Sequence, residues 1–432
     1  MRIRKSIFYL ISLVNAFFFY CSLCNMSMYP YDVLKHRFYA QIPPSTSMAI
    51  LGCILLLCLH AIAGRSTEYA IQKLSTPTVL TIIAWIVSKT GPTLTSYSIH
   101  LFYLLIAYIF FLIIRECKSD FSINKKVAHI CFYTCTALFF FWSLHTQYKL
   151  HNSLYSHFSD IGFWFLRLQN TIRYGDFLRL SSLLPTYWDH FCPGLAILLP
   201  FFYFYPKIEL LLWVQSLSIA ATPLVVVWIA KKMEVPLWSR VLLGMIVFIY
   251  PAMSYMTINM WFLFHPNSIV LPLLVALYYC LDKEKYWQAI ILSIIIFLQK
   301  EYMGIYIAGA GIPLLLRKHQ WKTGLAFLIV PSVIAAYLVF SYLPGLVEDE
   351  FVHQGWFGEL GSGFEVILSP FTRPKIFWGL LFSHGNRQYL LEAFLPIILL
   401  CIYSPRWLLA VAPVLLLYLT GYSGLARCVG MH

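Results

Sequence analysis

The chain has 432 residues, of which 60% are hydrophobic, 18% aromatic and only 11% charged. Soluble domains carry about 25% charged residues, and a water-soluble fold has no way to hide this much apolar surface, so composition points to a bilayer. The net charge of +13 does not mark a nucleic-acid binder. The basic residues lie between apolar runs and form no dense patch with interleaved aromatics.

In chain order, apolar runs at about 7–25, 46–64, 77–93, 98–114 and 127–145 read as five spans. A span needs about 20 apolar residues. The first follows Arg4 and Lys5 and resembles a signal peptide. No small-x-small cleavage site follows it, so it reads as a retained helix. Cys21 and Cys24 form one CxxC with no second pair, which argues against zinc.

A polar, aromatic stretch at about 146–191 reads as a first outer loop. Further apolar runs lie at about 192–205, 209–230, 241–262, 268–281, 286–299, 302–316, 323–343, 390–403 and 407–421. A second long loop, about 344–385, carries Glu348, Asp349, Glu350, Glu359, Glu365, Arg373 and Lys375. The chain stops soon after its last run, as a truncated product would.

Loop charge sets the expected orientation. With the N-terminus in the cytoplasm, the cytoplasmic loops hold Arg115, Lys118, Lys125 and Lys126, then Lys231, Lys232 and Arg240, then Lys283 and Lys285, then Arg317, Lys318 and Lys322, and last Arg406. Short loops dense in Lys and Arg belong inside.

Two decisions keep that rule. The run 192–205 is short and ends in Phe201–Phe202–Tyr203–Phe204–Tyr205; runs of about 10–14 residues are often interfacial, so it reads as a juxtamembrane segment. A single helix over Tyr286–Leu316 would measure about 47 Å at about 1.5 Å per residue, against a hydrocarbon core of about 30 Å. It is therefore expected to break at Lys300–Glu301.

The polar residues then gather on the outer face. Asp160, at the start of an aromatic stretch, reads as a helix N-cap or as a carboxylate general base. Asp189–His190, before Pro193, reads as interface anchoring beside Trp188 or as a substrate or metal contact. His265 lies in a turn and is either solvated or catalytic, its ordinary pKa being near neutrality. Lys300 and Glu301 interrupt apolar sequence. A mid-span charge costs about 2.5–3.5 kcal/mol on insertion scales, so they are a functional pair or a tight outer turn.

With these residues in view, the chain resembles the bacterial membrane proteins grouped as domain of unknown function 2079, over about residues 127–425. The resemblance rests on Ser159–Asp160–Ile161–Gly162 with Asn170, Thr171 and Gly175, and on Asp189–His190–Phe191–Cys192–Pro193. It continues through Gln215–Ser216 with Pro223, Phe264–His265–Pro266, Lys300–Glu301 with Gly304, Trp356–Phe357–Gly358, Leu395–Pro396 and Ser404–Pro405–Arg406–Trp407. Cys192 and Tyr302 stand where that family usually has Ser and an acid. Residues 1–126 form N-terminal helices with no assigned role.

That family looks distantly similar to the multispan GT-C glycosyltransferases. The similarity implies an all-α polytopic membrane protein of about 11–13 transmembrane helices, with a juxtamembrane segment and two outer loops. It implies transfer of a sugar from a polyprenyl-phosphate donor on the non-cytoplasmic face of the bacterial inner membrane. Asp160 would be the base, with Lys300 and His265 beside it as catalytic residues. Asp189, His190, Glu301 and Arg373 would bind substrate. The similarity fixes no certain cofactor; it leaves room for a divalent metal, which some relatives of the fold use, but this sequence does not name the ligands. The rival classes are a transporter or lipid flippase, and a non-catalytic membrane protein. The expected partners are the lipid-linked sugar and the bilayer, with no nucleic acid.

Overall fold

The computed structural model describes residues 125–153, 159–187, 189–250, 253, 256–257, 263–346, 354–361, 364–394 and 405–421. The first four predicted spans, Cys21 and Cys24, Trp188, Glu348–Glu350 and the final stub lie outside them. Among the described residues the structure is all-helical, without strands.

The helices are α1 (Lys125–Asn152), α2 (Ser159–Tyr174), α3 (Leu199–Phe204, preceded by a 3-10 turn over Pro193–Leu198), α4 (Glu209–Lys232), α5 (Leu237–Ile249), α6 (Asn267–Asp282), α7 (Tyr286–Phe297), α8 (Met303–Leu315), α9 (Trp321–Tyr337), α10 (Phe364–Thr372), α11 (Pro374–Leu381), α12 (His384–Phe394), α13 (Pro405–Leu408) and α14 (Ala412–Thr420). The predicted first outer loop is about half helical: α1 runs past His145 to Asn152, and α2 fills the middle of the stretch. The second outer loop also carries short helices, α10, α11 and the start of α12.

The chain divides into two compact units. The first comprises residues 1–145, 226–254 and 390–403. Its described core is aromatic, with Phe248 6.3 Å from Phe132 and 5.0 Å from Phe139 between ring centres. The Tyr250 hydroxyl donates to the Ala393 carbonyl at 2.8 Å.

The second unit comprises residues 146–225, 255–389 and 404–432. Its centre is the packing of α8 on α9. A Cβ at Gly311 would stand 2.6 Å from the Gly324 carbonyl oxygen, and one at Gly324 would stand 2.8 Å from that of Gly311. Only glycine at both positions lets the two backbones approach this closely.

Two described helices are long and apolar enough to cross a bilayer, Glu209–Lys232 and Trp321–Leu346. The second is α9 continued through a π-helical turn, Leu338–Tyr342. Five shorter apolar helices accompany them: Pro193–Phe204, Asn267–Asp282, Tyr286–Phe297, Met303–Leu315 and Pro405–Thr420. The expected break at Lys300–Glu301 agrees with the structure. Pro193–Phe204 is a separate short helix, and α7 and α8 are two helices parted by a turn over residues 298–302.

Candidate functional site

The site lies in the second unit and begins with α2. Asp160 lies in the first helical turn, where a carboxylate complements the helix dipole. Asp160, Trp164, Arg167 and Thr171 fall at helical spacing and form one face of α2. The helix ends at Gly175, whose φ of +73° suits a residue without a side chain.

That face folds the following segment back onto itself. Asn170 Nδ2 donates to the carbonyls of Arg179 (3.0 Å) and Leu180 (2.9 Å). The Thr171 hydroxyl donates to the Arg167 carbonyl and accepts the Leu178 N–H, both at 2.7 Å.

Arg167 is completely buried. Its guanidinium pairs with Asp189 and donates to the Thr186 carbonyl at 3.0 Å. It also stands over the Trp164 ring at 5.4 Å and 3.7 Å from the Cys192 sulfur. A buried charge is tolerated when it is paired and hydrogen-bonded, and here ion pair, carbonyl and aromatic face do this together. Cys192 is fully buried, and burial pushes its thiol up to about 12 despite the neighbouring guanidinium. It is an inert thiol, not a nucleophile.

The Lys300 turn meets this arm. Glu301 Oε1 lies 2.9 Å from His190 Nδ1, and its Oε2 accepts the Phe191 N–H at 2.9 Å. The Gly194 N–H donates to the Leu298 carbonyl at 2.7 Å. A Cβ at Gly194 would stand 2.8 Å from that oxygen, so glycine permits the approach. Segment 189–194 is thereby clamped onto the break between α7 and α8.

Lys300 and Glu301 expose only 4% and 2%. Lys300 Nζ lies 2.9 Å from His265 Nε2 and 5.0 Å from the centre of the Tyr302 ring. Burial lowers its pKa, while the negative charges of Glu301, Asp160 and Asp189 act the other way. A proton between Nζ and Nε2 therefore has two homes: the ammonium donates to the ring, or the ring N–H donates to a neutral amine. The turn that carries His265 is held by Gln215, whose Oε1 accepts the His265 N–H at 3.0 Å and whose Nε2 donates to the Met256 carbonyl at 3.1 Å.

Trp164 joins the two arms. Its ring stacks near His190 at 6.4 Å and meets His265 edge-on at 5.9 Å.

The structure thus brings together six of the seven expected residues: Asp160, Asp189, His190, His265, Lys300 and Glu301. Asp189 and His190 are engaged by Arg167 and Glu301, so they read as framework more than as open substrate contacts. Arg373 has other partners. It is exposed, and its guanidinium bonds to the Glu359 carbonyl and lies 3.5 Å from Glu365. Among the described residues, no group of three His, Cys, Asp or Glu side chains is placed to hold a metal ion. Sequence reasoning missed Arg167, although its signal was available in the seven-residue step from Asp160 along an amphipathic helix.

No curated protein and no solved structure shows a significant match to the chain. A family match covers residues 150–432, from the end of α1 onward, slightly displaced from the expected 127–425. It contains every residue of the site, and with it the chain belongs to the family described as "Predicted membrane protein (DUF2079)".

Proposed function

We propose that the chain is a polytopic protein of the bacterial inner membrane, N-terminus inside, that transfers a sugar from a polyprenyl-phosphate donor to an acceptor hydroxyl on the outer face. The membrane part is supported by exposed apolar side chains along α4, α7 and α9, among them Trp213, Leu217, Ile291, Ile294, Ile329 and Val333. Apolar faces of this extent suit lipid or a partner, not water.

The observation that carries the chemistry is the meeting of Lys300 with His265 at 2.9 Å, in the field of the Asp160 carboxylate. Three groups from distant parts of the chain meet there, Lys300 buried and Asp160 and His265 partly buried. Ionisable clusters with perturbed proton affinity are candidate active sites. In this reading Asp160 takes the proton from the acceptor hydroxyl as its oxygen attacks the anomeric carbon. The bond from that carbon to the phosphate oxygen breaks, and the electron pair leaves with the polyprenyl phosphate. Lys300, with His265 as its proton partner, stabilises the charge developing there. Arg167, Asp189, His190 and Glu301 hold the reacting groups in position.

The test is sugar release from labelled polyprenyl-phosphate donors by the purified full chain. Asp160→Asn is expected to lower the rate by about 10²–10⁴-fold, the usual worth of a general base. Equal rates in variant and parent would remove Asp160 as the base. No release from any donor by the parent chain would favour a transporter or flippase.

A further inference from the structure

A second feature of the same unit takes no part in the charged network. Between α7, α8 and α9 lies a cavity of about 370 Å³. That volume falls in the range of about 300–1,000 Å³ typical of ligand sites. Its walls include Ile290, Ile294 and Phe297 of α7, Ile307 of α8, and Phe327 and Ile334 of α9. Ser293 is the one hydroxyl among the lining residues, and no charged side chain lines the cavity.

Three observations bear on what fills it. The wall is hydrocarbon, so the occupant is too. The groove lies on the apolar outside of the unit, where Ile294, Val330 and Ile334 are exposed, so its occupant enters from lipid. It follows α7 from Ile290 to Leu298, about 12 Å at about 1.5 Å per residue. The next two residues are Gln299 and Lys300. A chain lying in the groove therefore ends close to the charged turn. A volume of about 370 Å³ suits part of one hydrocarbon chain better than the two chains of a diacyl lipid.

We infer that this groove holds the single hydrocarbon chain of a polyprenyl phosphate, with its head group toward the Lys300 turn. The identity of the head group rests on the transferase reading; the groove itself does not.

The test uses the full chain in vesicles with a diazirine-bearing polyprenyl phosphate, and locates the cross-links by peptide mass spectrometry. Label is expected on groove residues of α7 and α9, and unlabelled polyprenyl phosphate is expected to compete it away. Ile294→Trp and Ala326→Phe, both at exposed positions and therefore compatible with folding, fill the groove and lower labelling at least ten-fold. Val333→Trp, on the apolar face of α9 outside the groove, leaves it unchanged. A diazirine-bearing diacyl phospholipid is expected to label α4, α7 and α9 evenly without competition. Even labelling by the polyprenyl probe, or labelling indifferent to Ile294→Trp, would overturn the proposal. The two readings fail separately. Competed groove labelling without sugar release rejects the transferase and keeps the groove; sugar release without groove labelling does the reverse.

Discussion

At the residue scale the decisive side chain is Arg167. Its guanidinium has no water to turn to, and its partners come from separate parts of the segment that follows α2: Asp189, the Thr186 carbonyl and the Leu178 carbonyl. Removing one member of a buried ion pair costs about 3–5 kcal/mol, because the other is left uncompensated. Arg167→Met is therefore expected to lower the melting temperature of the detergent-solubilised chain sharply. Arg167→Lys is expected to rescue little, since one ammonium does not reproduce a planar fork that reaches carboxylate and carbonyls together. Pairing Arg167→Met with Asp189→Asn should recover part of the loss. A double variant no more stable than the single one would show that the pair is not the source of the cost.

At the element scale the informative features are breaks in helices. The break at Lys300–Glu301 was legible in the sequence, because two charges in the middle of an apolar run have few structural solutions. So was the detachment of Pro193–Phe204, from its length and its run of aromatics. Less legible was how far helix extends into the first outer loop. Polar, aromatic composition reads as loop, yet α2 forms there because its polar residues share one face and bind the segment after it. The partners of Asp189 and His190 were not legible at all: adjacent residues in sequence are engaged by groups 22 and 111 positions away. The clamp between these elements depends on Gly194. Gly194→Ala would drive a methyl group into the Leu298 carbonyl and the Gln299 side chain. Overpacking of this kind costs about 1–3 kcal/mol. The expected result is a modest loss of stability with a larger loss of sugar release, because the strain falls on the turn that carries Lys300. A variant with parental release would mean that the clamp does not govern the site.

At the scale of the whole molecule, sidedness ties the parts together. If the chain crosses the bilayer as the loop charges require, the ends of the helices sort by chemistry. One set of ends carries the network of Arg167, Asp189, His190, Glu301, Lys300 and His265. The loops after α6 and α8 carry a different set: Arg317 pairs with Asp282 and donates to Gln320 Oε1 at 2.9 Å, while Gln320 donates to Glu284 at 2.7 Å. In the first set Arg167, Lys300 and Glu301 are buried and Asp189, His190 and His265 partly buried; the second includes the exposed Lys318 and His319. In the proposed orientation the second set would face the cytoplasm, where short loops rich in Lys and Arg belong. The prediction concerns single cysteines placed in a chain whose native cysteines are replaced. Ser182→Cys, in the exposed segment after α2, should react with a membrane-impermeant maleimide added to intact cells. Lys318→Cys, between α8 and α9, should react only after the membrane is permeabilised. The reverse pattern would put the charged site in the cytoplasm, where a donor presented on the outer leaflet cannot reach it, and the proposed transfer would have to be abandoned even if every contact within the site were correct.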